Sequence, residues 1–473
     1  MAENYKKYSQ IEHVLERPGM YVGDISDVSS ECWIINQETN NACIKTCRWN
    51  PGIFKIFDEI LTNASDERQR NKNMTCIKVW ISDDNTISIY NDSGIPIEIH
   101  PEYKIYIPEL IFANLLTTSN HDDSKKRTTG GLNGLGAKLA AIFSDTFTVE
   151  TASAGKKYTQ TYEKNLSKIC KPKLGKSVKE YTKITFKPDF KRFGVDTLNE
   201  DTKCILIRRV FDMCAITPKG VDVYYNDKKL NVKDFSEYIS MYIGLKKNCP
   251  RVIQETPRWQ VAIAPSENGF QCISFVNGVN TSDGGSHVEH VIGPIVKKIT
   301  EIIQEKHKSL TIKPNYIKDN IFVFINCIIE NPSFSSQTKE KNITKVSGFG
   351  SKFSASDEFV KSVSKLGIIE NVLALADAKE KKSLQKTDGK KTSRIIIPKL
   401  DDANRAGTKD SSKCTIIFTE GDSAKATAIS GLSVVGRDTY GVFPLRGKLL
   451  NTRTATYSQL SKNEEINNIK QIL

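Results

Sequence analysis

Between residues 52 and 70, Phe57, Ile60, Leu61 and Ala64 recur at helical spacing. On the same helix Glu59, Asn63 and Asp66 stand at i, i+4 and i+7, so they share one polar stripe. Upstream, YSQIEHVLERPGMYVGD predicts a short amphipathic helix closed by Pro18 and Gly19. Downstream, CIKVWIS and TISIY flank Asp83, Asp84 and Asn85 and predict a hairpin. A polar stretch, TTSNHDDSKKRTT, leads into GGLNGLGAK, and AKLAAIFS after it has a helical pattern. Strands and helices then mix through DTFTVETASA, KYTQTYE and KITFKPDF, and a helix over 204–217 precedes GVDVYYNDKKL. These elements predict an α+β layer with a mostly antiparallel sheet, closing near residue 240. A second α+β unit starts around RWQVAIAPS, takes in FQCISFVNGV and the long helix HVEHVIGPIVKKITEIIQEKH, and ends on the apolar strand NIFVFINCIIE. Between 379 and 399, eight Lys or Arg stand against two acids, which suits a solvated linker or a DNA-facing edge. CTIIFTEGDSAKATAISG then runs strand, loop, helix, the start of an α/β domain. The boundaries that follow are 1–240, 241–385, a basic linker over 386–411, and 412–473.

The 473 residues suffice for about three domains, and 38% hydrophobic content suits globular cores. Lys and Arg outnumber Asp and Glu by 68 to 55, a net charge of +13. That excess favours a polyanionic partner, nucleic acid ahead of an anionic membrane. No run of eighteen apolar residues occurs and the N-terminus is no secretory signal, so a soluble, intracellular protein without a membrane partner is expected. Eleven cysteines, from Cys32 to Cys414, form no C-x-x-C pair, and reduced, mostly buried thiols are expected. His287 and His290 lie three apart without a third ligand in view, so zinc is not expected.

Three motifs carry chemistry. GGLNGLGAK fails as a Walker loop, because Ala137 separates Gly136 from Lys138, and as a dinucleotide fingerprint, because Leu139 takes the third glycine's place. It keeps the physics of an anion site: glycines let backbone N–H groups approach, and a helix start adds partial positive charge. Glu59, Asn63 and Asp66 can polarise a water, hold Mg²⁺ through oxygen and orient a neighbour, or can form a solvent-facing stripe. YNDSGIP, just past an apolar strand, can present a side chain to a buried ring or be an ordinary Asx turn.

Glu-x-x-x-Asn-Ala-x-Asp, an Asn-Asp turn ending Gly-Ile-Pro, a polar lid and a glycine loop, in that order, resemble the GHKL ATPases. LIFANLLTTSNHDD, TGGLNGLGAKLAAIFS, ISFVNGVNTSDGGSHVEHV, ENPSFSSQTKE, IPKLDDANRAGTK, TEGDSAKATAISGLSVVGRD and GVFPLRGKLLN resemble the eukaryotic-type (type IIA) DNA topoisomerases II. The similarity runs from Tyr5 to the end in the family's order. It implies a GHKL (Bergerat) ATPase sandwich with a short N-terminal strap over 1–240 and an α+β transducer over 241–385. The segment 386–411 would lead into a DNA-binding core, and 412–473 would begin an α/β TOPRIM domain. By the same resemblance Glu59 is the general base and Asn63 the Mg²⁺ ligand. Asn91 reads adenine, and Ser119 and Asn120 contact ribose and phosphate. Asn133, Gly134, Leu135, Gly136, Ala137 and Lys138 form the ATP phosphate cradle. Gln337 and Lys339 reach the γ-phosphate, with Lys339 sensing it, and Tyr5 touches the partner subunit's nucleotide. Glu420 would hold a second Mg²⁺ for DNA cleavage beside Asp422. Lys399, Lys425, Arg446 and Lys448 are candidate contacts to a DNA backbone.

The pattern departs in places. NDSGIP is one residue shorter than the family's turn, Leu132 replaces a common arginine, and Glu67 stands where an amide is usual. RPGMYVGD is closer to bacterial gyrase, and the arm before it is short. These departures fit a compact lineage such as a large DNA virus, with the nucleus or a viral DNA compartment as location. No block resembles the attacking tyrosine or the Asp-x-Asp of TOPRIM, so the resemblance implies an ATP-hydrolysing, homodimerising chain that does not itself cleave DNA. In the full enzyme it would gate the passage of one duplex through another. The rival readings are a mismatch-repair-type or chaperone-type GHKL clamp and a DNA scaffold without ATPase activity.

Overall fold

Ser9 opens the first helix, α1 (Gln10–Glu16), through a reciprocal capping box with Glu12, and Pro18 follows its end. The hairpin of β1 (Val28–Ile35) and β2 (Ala42–Trp49) comes next, and the sequence pattern did not announce it. Its strands carry Ser, Glu, Lys and Cys at exposed positions on both faces, so the period-two alternation of a half-buried strand is missing. Asn50 then caps α2 (Pro51–Arg70), accepting the Ile53 N–H at 3.1 Å. Ile53, Ile56, Phe57, Ile60 and Leu61 of α2 are buried.

The computed structural model describes residues 7–115, 117, 126–131, 134–218, 220–245, 249–307, 312–376, 397–447, 449–455 and 457–473. These divide into two units, 1–296 with 318–366, and 297–317 with 367–473.

The first unit holds two sheets. The larger is built from β3 (Cys76–Ile81), β4 (Ile87–Asn91), β5 (Ser144–Ser153), β6 (Lys156–Glu163), β7 (Lys168–Ile169), β8 (Lys173–Lys176), β9 (Tyr181–Pro188), β10 (Asp222–Tyr225) and β11 (Lys228–Lys229). Its order is β11-β10-β3-β4-β9-β5-β6-β7, with β8 also on β6, and only β10 and β3 run parallel. After β4 come α3 (Ile107–Ala113) and α4 (Gly136–Ile142); after β9 comes α5 (Glu200–Ile216), and after β11 comes α6 (Phe235–Ile243). α2 packs on both α4 and α5, and all three lie on this sheet, with Leu61, Leu139, Phe147 and Phe186 in the shared core. The second sheet, in the order β12-β13-β16-β14-β15, comprises β12 (Val252–Thr256), β13 (Trp259–Pro265), β14 (Gln271–Val276), β15 (Val279–Asn280) and β16 (Ile321–Cys327). It begins one strand earlier than RWQVAIAPS indicated.

The second unit contains β17 (Thr415–Glu420), parallel to β18 (Tyr440–Leu445), and the helix Gly421–Val435 between them. This is the strand, loop and helix order read from the chain, with the loop reduced to the junction at Gly421.

All eleven cysteines are free thiols, but only Cys47, Cys214 and Cys327 are buried; the expectation of mostly buried thiols is corrected. Most sit on strands or helix edges where one side of the element faces solvent. Both histidines of the 287/290 pair serve the core of the first unit. His287 Nε2 lies 3.2 Å from the Thr281 hydroxyl, and His290 Nε2 accepts the Phe353 N–H at 3.2 Å.

Candidate functional site

One cavity of about 210 Å³ lies in the first unit, between α2, the glycine loop, strands β4 and β9, and a loop that follows β16. The stripe read on α2 lines it, with Glu59, Asn63 and Asp66 accompanied by Glu67 and Arg70. The apolar part of its wall comes from Ile60, Ile89, Ile95, Phe112 and Ile184. A flat apolar ring and a charged tail can therefore be held in one space, in the manner of small-ligand sites.

Glu59 is 4% exposed. Its Oε1 receives the Lys339 ammonium at 2.9 Å and the Lys55 ammonium at 2.5 Å. Burial alone would raise this carboxyl, but Lys339 and Lys55 outweigh burial and hold it down to about 2. Lys339 comes from the loop after β16, and its backbone is left-handed at φ 65° in a turn where its N–H meets the Ser336 carbonyl. Gln337 lines the same cavity. The residue read at 339 thus meets the residue read at 59, and the one read at 337 lines the same cavity. Lys55, one helical turn before Glu59, was missed, although an i, i+4 Lys–Glu pair is visible in the sequence.

Asn63 stands one turn after Glu59, is exposed to the cavity, and its side chain has no hydrogen-bond partner among the described residues. A cavity-facing neutral amide oxygen suits magnesium, which takes few protein ligands beside phosphate and water. Asp66 is buried and accepts the N–H groups of Gly130 and Gly131 at 3.2 and 3.1 Å. Burial pushes its carboxyl up to about 6 against those two hydrogen bonds. Its place on the stripe was read; its task as anchor of the glycine loop was not.

The glycines have steric reasons. A Cβ on Gly136 would strike the Glu59 carboxylate, and one on Gly130 would strike the Asn277 carbonyl and Val279. Gly134 has φ 59°. Leu135 and Ala137 line the cavity beside them. Lys138 is 2% exposed, and its ammonium donates to the carbonyls of Thr117 and Gly134, each at 2.5 Å. Burial pulls Lys138 down to about 8.

The shortened turn after β4 closes on its own side chains. Asn91 Oδ1 accepts the Ser93 N–H at 3.1 Å, an Asx turn. The Ser93 hydroxyl donates to Glu67 at 2.9 Å and accepts from Asn71 at 3.0 Å, and Thr182 donates to the Ser93 carbonyl at 2.8 Å. Glu67 is therefore the acceptor for this serine. Gly94 packs so close to the Ala152 carbonyl that a Cβ there would overlap it.

Tyr5, Ser119, Asn120, Leu132, Asn133 and Lys448 lie outside the described residues. In the second unit Glu420 is exposed at the end of β17. Lys399 pairs with Asp422 at 2.5 Å, Lys425 with Asp401 at 2.6 Å, and Arg446 with Glu464 at 3.6 Å. No group of three metal-ligating side chains occurs among the described residues. None of their helices is long and apolar enough to cross a membrane.

Residues 50–192 match the family of histidine kinase-, DNA gyrase B- and HSP90-like ATPases, and residues 221–392 match DNA gyrase B. DNA topoisomerase 2 of Candida albicans is 48% identical over 500 residues, covering 100% of this chain and 34% of that protein. The Drosophila melanogaster enzyme of the same name is 46% identical, covering 99% of this chain and 33% of that protein. The chain thus spans about a third of the length of these curated relatives. Among solved structures, the ATPase region of Saccharomyces cerevisiae topoisomerase II superposes with a TM-score of 0.76 at 42% identity, covering 80% of this chain and 100% of that one. The ATPase and transducer domains of DNA topoisomerase II from Balamuthia mandrillaris give 0.76 at 40% identity, covering 80% and 99%.

Proposed function

The chain belongs to the DNA topoisomerase 2 family, through the ATPase region of those enzymes, and on that premise we propose that it binds and hydrolyses ATP to drive a DNA-handling gate. The observation that carries the reading is Glu59: a buried carboxylate, kept charged, in a cavity that also holds the glycine loop and Lys339. Adenine takes the apolar end beside Asn91 and Thr182, and Ser119 and Asn120 meet the ribose and phosphates. The triphosphate lies along 133–138 toward Gln337 and Lys339.

Water attacks the γ-phosphorus, the new P–O bond forms as the bond to the β-bridging oxygen breaks, and the electron pair leaves on ADP. Glu59 takes the water's proton, a task worth about 10²–10⁴-fold. Asn63 would hold Mg²⁺, which would neutralise charge on the phosphates. Lys339 contacts the γ-phosphate and loses that contact after hydrolysis, which makes it a switch.

The remaining roles extend the reading to the full enzyme. The division 1–240, 241–385, 386–411 and 412–473 separates ATPase, transducer, linker and the start of TOPRIM. Two copies close on ATP in a two-fold N-gate with Tyr5 reaching the partner's nucleotide. Glu420 would hold a second Mg²⁺, and Lys399, Lys425, Arg446 and Lys448 would contact duplex DNA. Strand passage is the purpose of the closure, inside the cell where DNA is held.

The test is ATP turnover by this chain beside Glu59→Ala, with and without duplex DNA at low salt. Turnover is expected in the parent, at least about 10²-fold lower in the variant. Equal turnover in both removes Glu59 as the base and with it this reading.

A further inference from the structure

Lys55 and Glu59 are one helical turn apart on α2, both almost fully buried at 5% and 4% side-chain exposure. Lys339 arrives at the same carboxylate oxygen from the other sheet's loop, with 6% exposure. One buried oxygen therefore takes two ammonium groups, and the other faces Gly136 so closely that only glycine fits there. The surrounding charges are otherwise committed. Asp58 is paired to Arg209 at 2.6 Å, Asp66 is held by two glycine N–H groups, and Lys138 is held by two carbonyls.

The two lysines differ in what holds them. Lys55 shares a helix with Glu59 and also donates to the Thr338 carbonyl at 3.3 Å, so it spans the base and the loop that carries Lys339. Lys339 sits on a turn outside the helix, where a competing anion can draw it away. With both lysines in place, the two lone pairs of Oε1 are occupied and that oxygen cannot take a proton from water.

We propose that Lys55 is a positioning residue for Glu59: it is the resident partner that keeps the base charged and aimed after the terminal phosphate draws Lys339 off. The inference rests on the ATPase reading above and adds a reason for its order of events. Before nucleotide arrives, Oε1 of the base is occupied by two cations. Contact of Lys339 with the γ-phosphate frees one lone pair, and Lys55 retains the other. A carboxylate left in that buried place with no cation would be neutralised by protonation and would no longer serve as a base. The link from Lys55 to the Thr338 carbonyl also ties the aim of Glu59 to the docking of the 336–340 loop on α2.

The experiment compares Lys55→Met, Lys55→Arg, Lys339→Met and Glu59→Gln in the full chain. It reads ATP turnover and the affinity of a non-hydrolysable ATP analogue. Lys55→Met is expected to lower kcat about 10²-fold while analogue affinity stays within about threefold, and Lys55→Arg to recover at least a tenth of the parental rate. Lys339→Met is expected to weaken the analogue as well. Parental turnover in Lys55→Met, or an Arg variant no better than Met, overturns the proposal. If Glu59→Gln turns over normally, the ATPase reading fails instead.

A second measurement is independent of turnover. Infrared difference spectra, with Glu59→Gln as reference, show whether the Glu59 carboxyl is protonated near pH 7. Lys339→Met is expected to keep an ionised carboxylate, and Lys55→Met/Lys339→Met to show the protonated band. A double variant that stays ionised, or a protonated Lys339→Met, overturns the role given to Lys55.

Discussion

Among the described residues, Lys138 is a cation buried against two carbonyl oxygens and no carboxylate, and burial lowers it to about 8. The group is poised for an anion that no described residue supplies. A triphosphate along the glycine loop would favour the charged form and raise the Lys138 value, so binding takes up protons where the free site is partly neutral. At pH 8 the uptake from this residue is expected to be about half a proton, fading below pH 7 where free Lys138 is already charged. Titration calorimetry of a non-hydrolysable ATP analogue, in buffers of different ionisation enthalpy, measures it directly. Lys138→Met should remove the uptake; a binding heat independent of buffer in the parent would sink the argument. The sequence offered Lys138 as a phosphate ligand and said nothing of the two carbonyls. Those belong to Thr117 and Gly134, one of them distant in sequence, and no local pattern encodes such a pairing.

At the scale of elements, α2 and the glycine loop are fitted to each other by one missing side chain. Gly136 begins α4, and Glu59 lies in the space its Cβ would fill. Gly136→Ala must push either the helix start or the carboxylate aside, and the carboxylate is the softer of the two. Turnover is expected to drop about 10²-fold, because a small displacement of a catalytic group costs that much. Thermal unfolding should move by only a few degrees. An alanine variant with parental kcat would show that the carboxylate has other room. The Glu59, Asn63, Asp66 stripe was legible because helical spacing alone puts three residues on one face. The β1–β2 hairpin was not, because its strands are exposed on both sides and show no alternation. The shortened NDSGIP turn was legible as a departure, but its closure through Asn91, Ser93 and Glu67 needed the neighbouring helix. Two elements thus close the turn together, which a motif compared block by block cannot reveal.

For the molecule as a whole, a net charge of +13 is the compositional argument for a DNA partner, and it has to survive the pairing of those charges. In the second unit Lys399, Lys425 and Arg446 each already face an acid, so moving them to phosphate exchanges one ion pair for another. An exposed pair of this kind contributes little, about 0–1 kcal/mol, so the exchange is affordable but gives each cation less than a free lysine would gain. Duplex affinity should therefore depend steeply on salt, since every phosphate neutralised adds about 0.9 to the slope of log K against log salt. A slope of at least about 3 in magnitude is expected for the chain between 50 and 200 mM salt, measured by fluorescence anisotropy. Reversing Lys399 and Lys425 together, K399E with K425E, should reduce it by less than two such steps, because both lysines start out partly neutralised. A flat salt response would mean that the basic excess is dispersed over the surface and forms no track for a duplex. A loss larger than two steps would mean instead that these lysines leave their carboxylates freely, and that Asp401 and Asp422 are turned away from the bound strand.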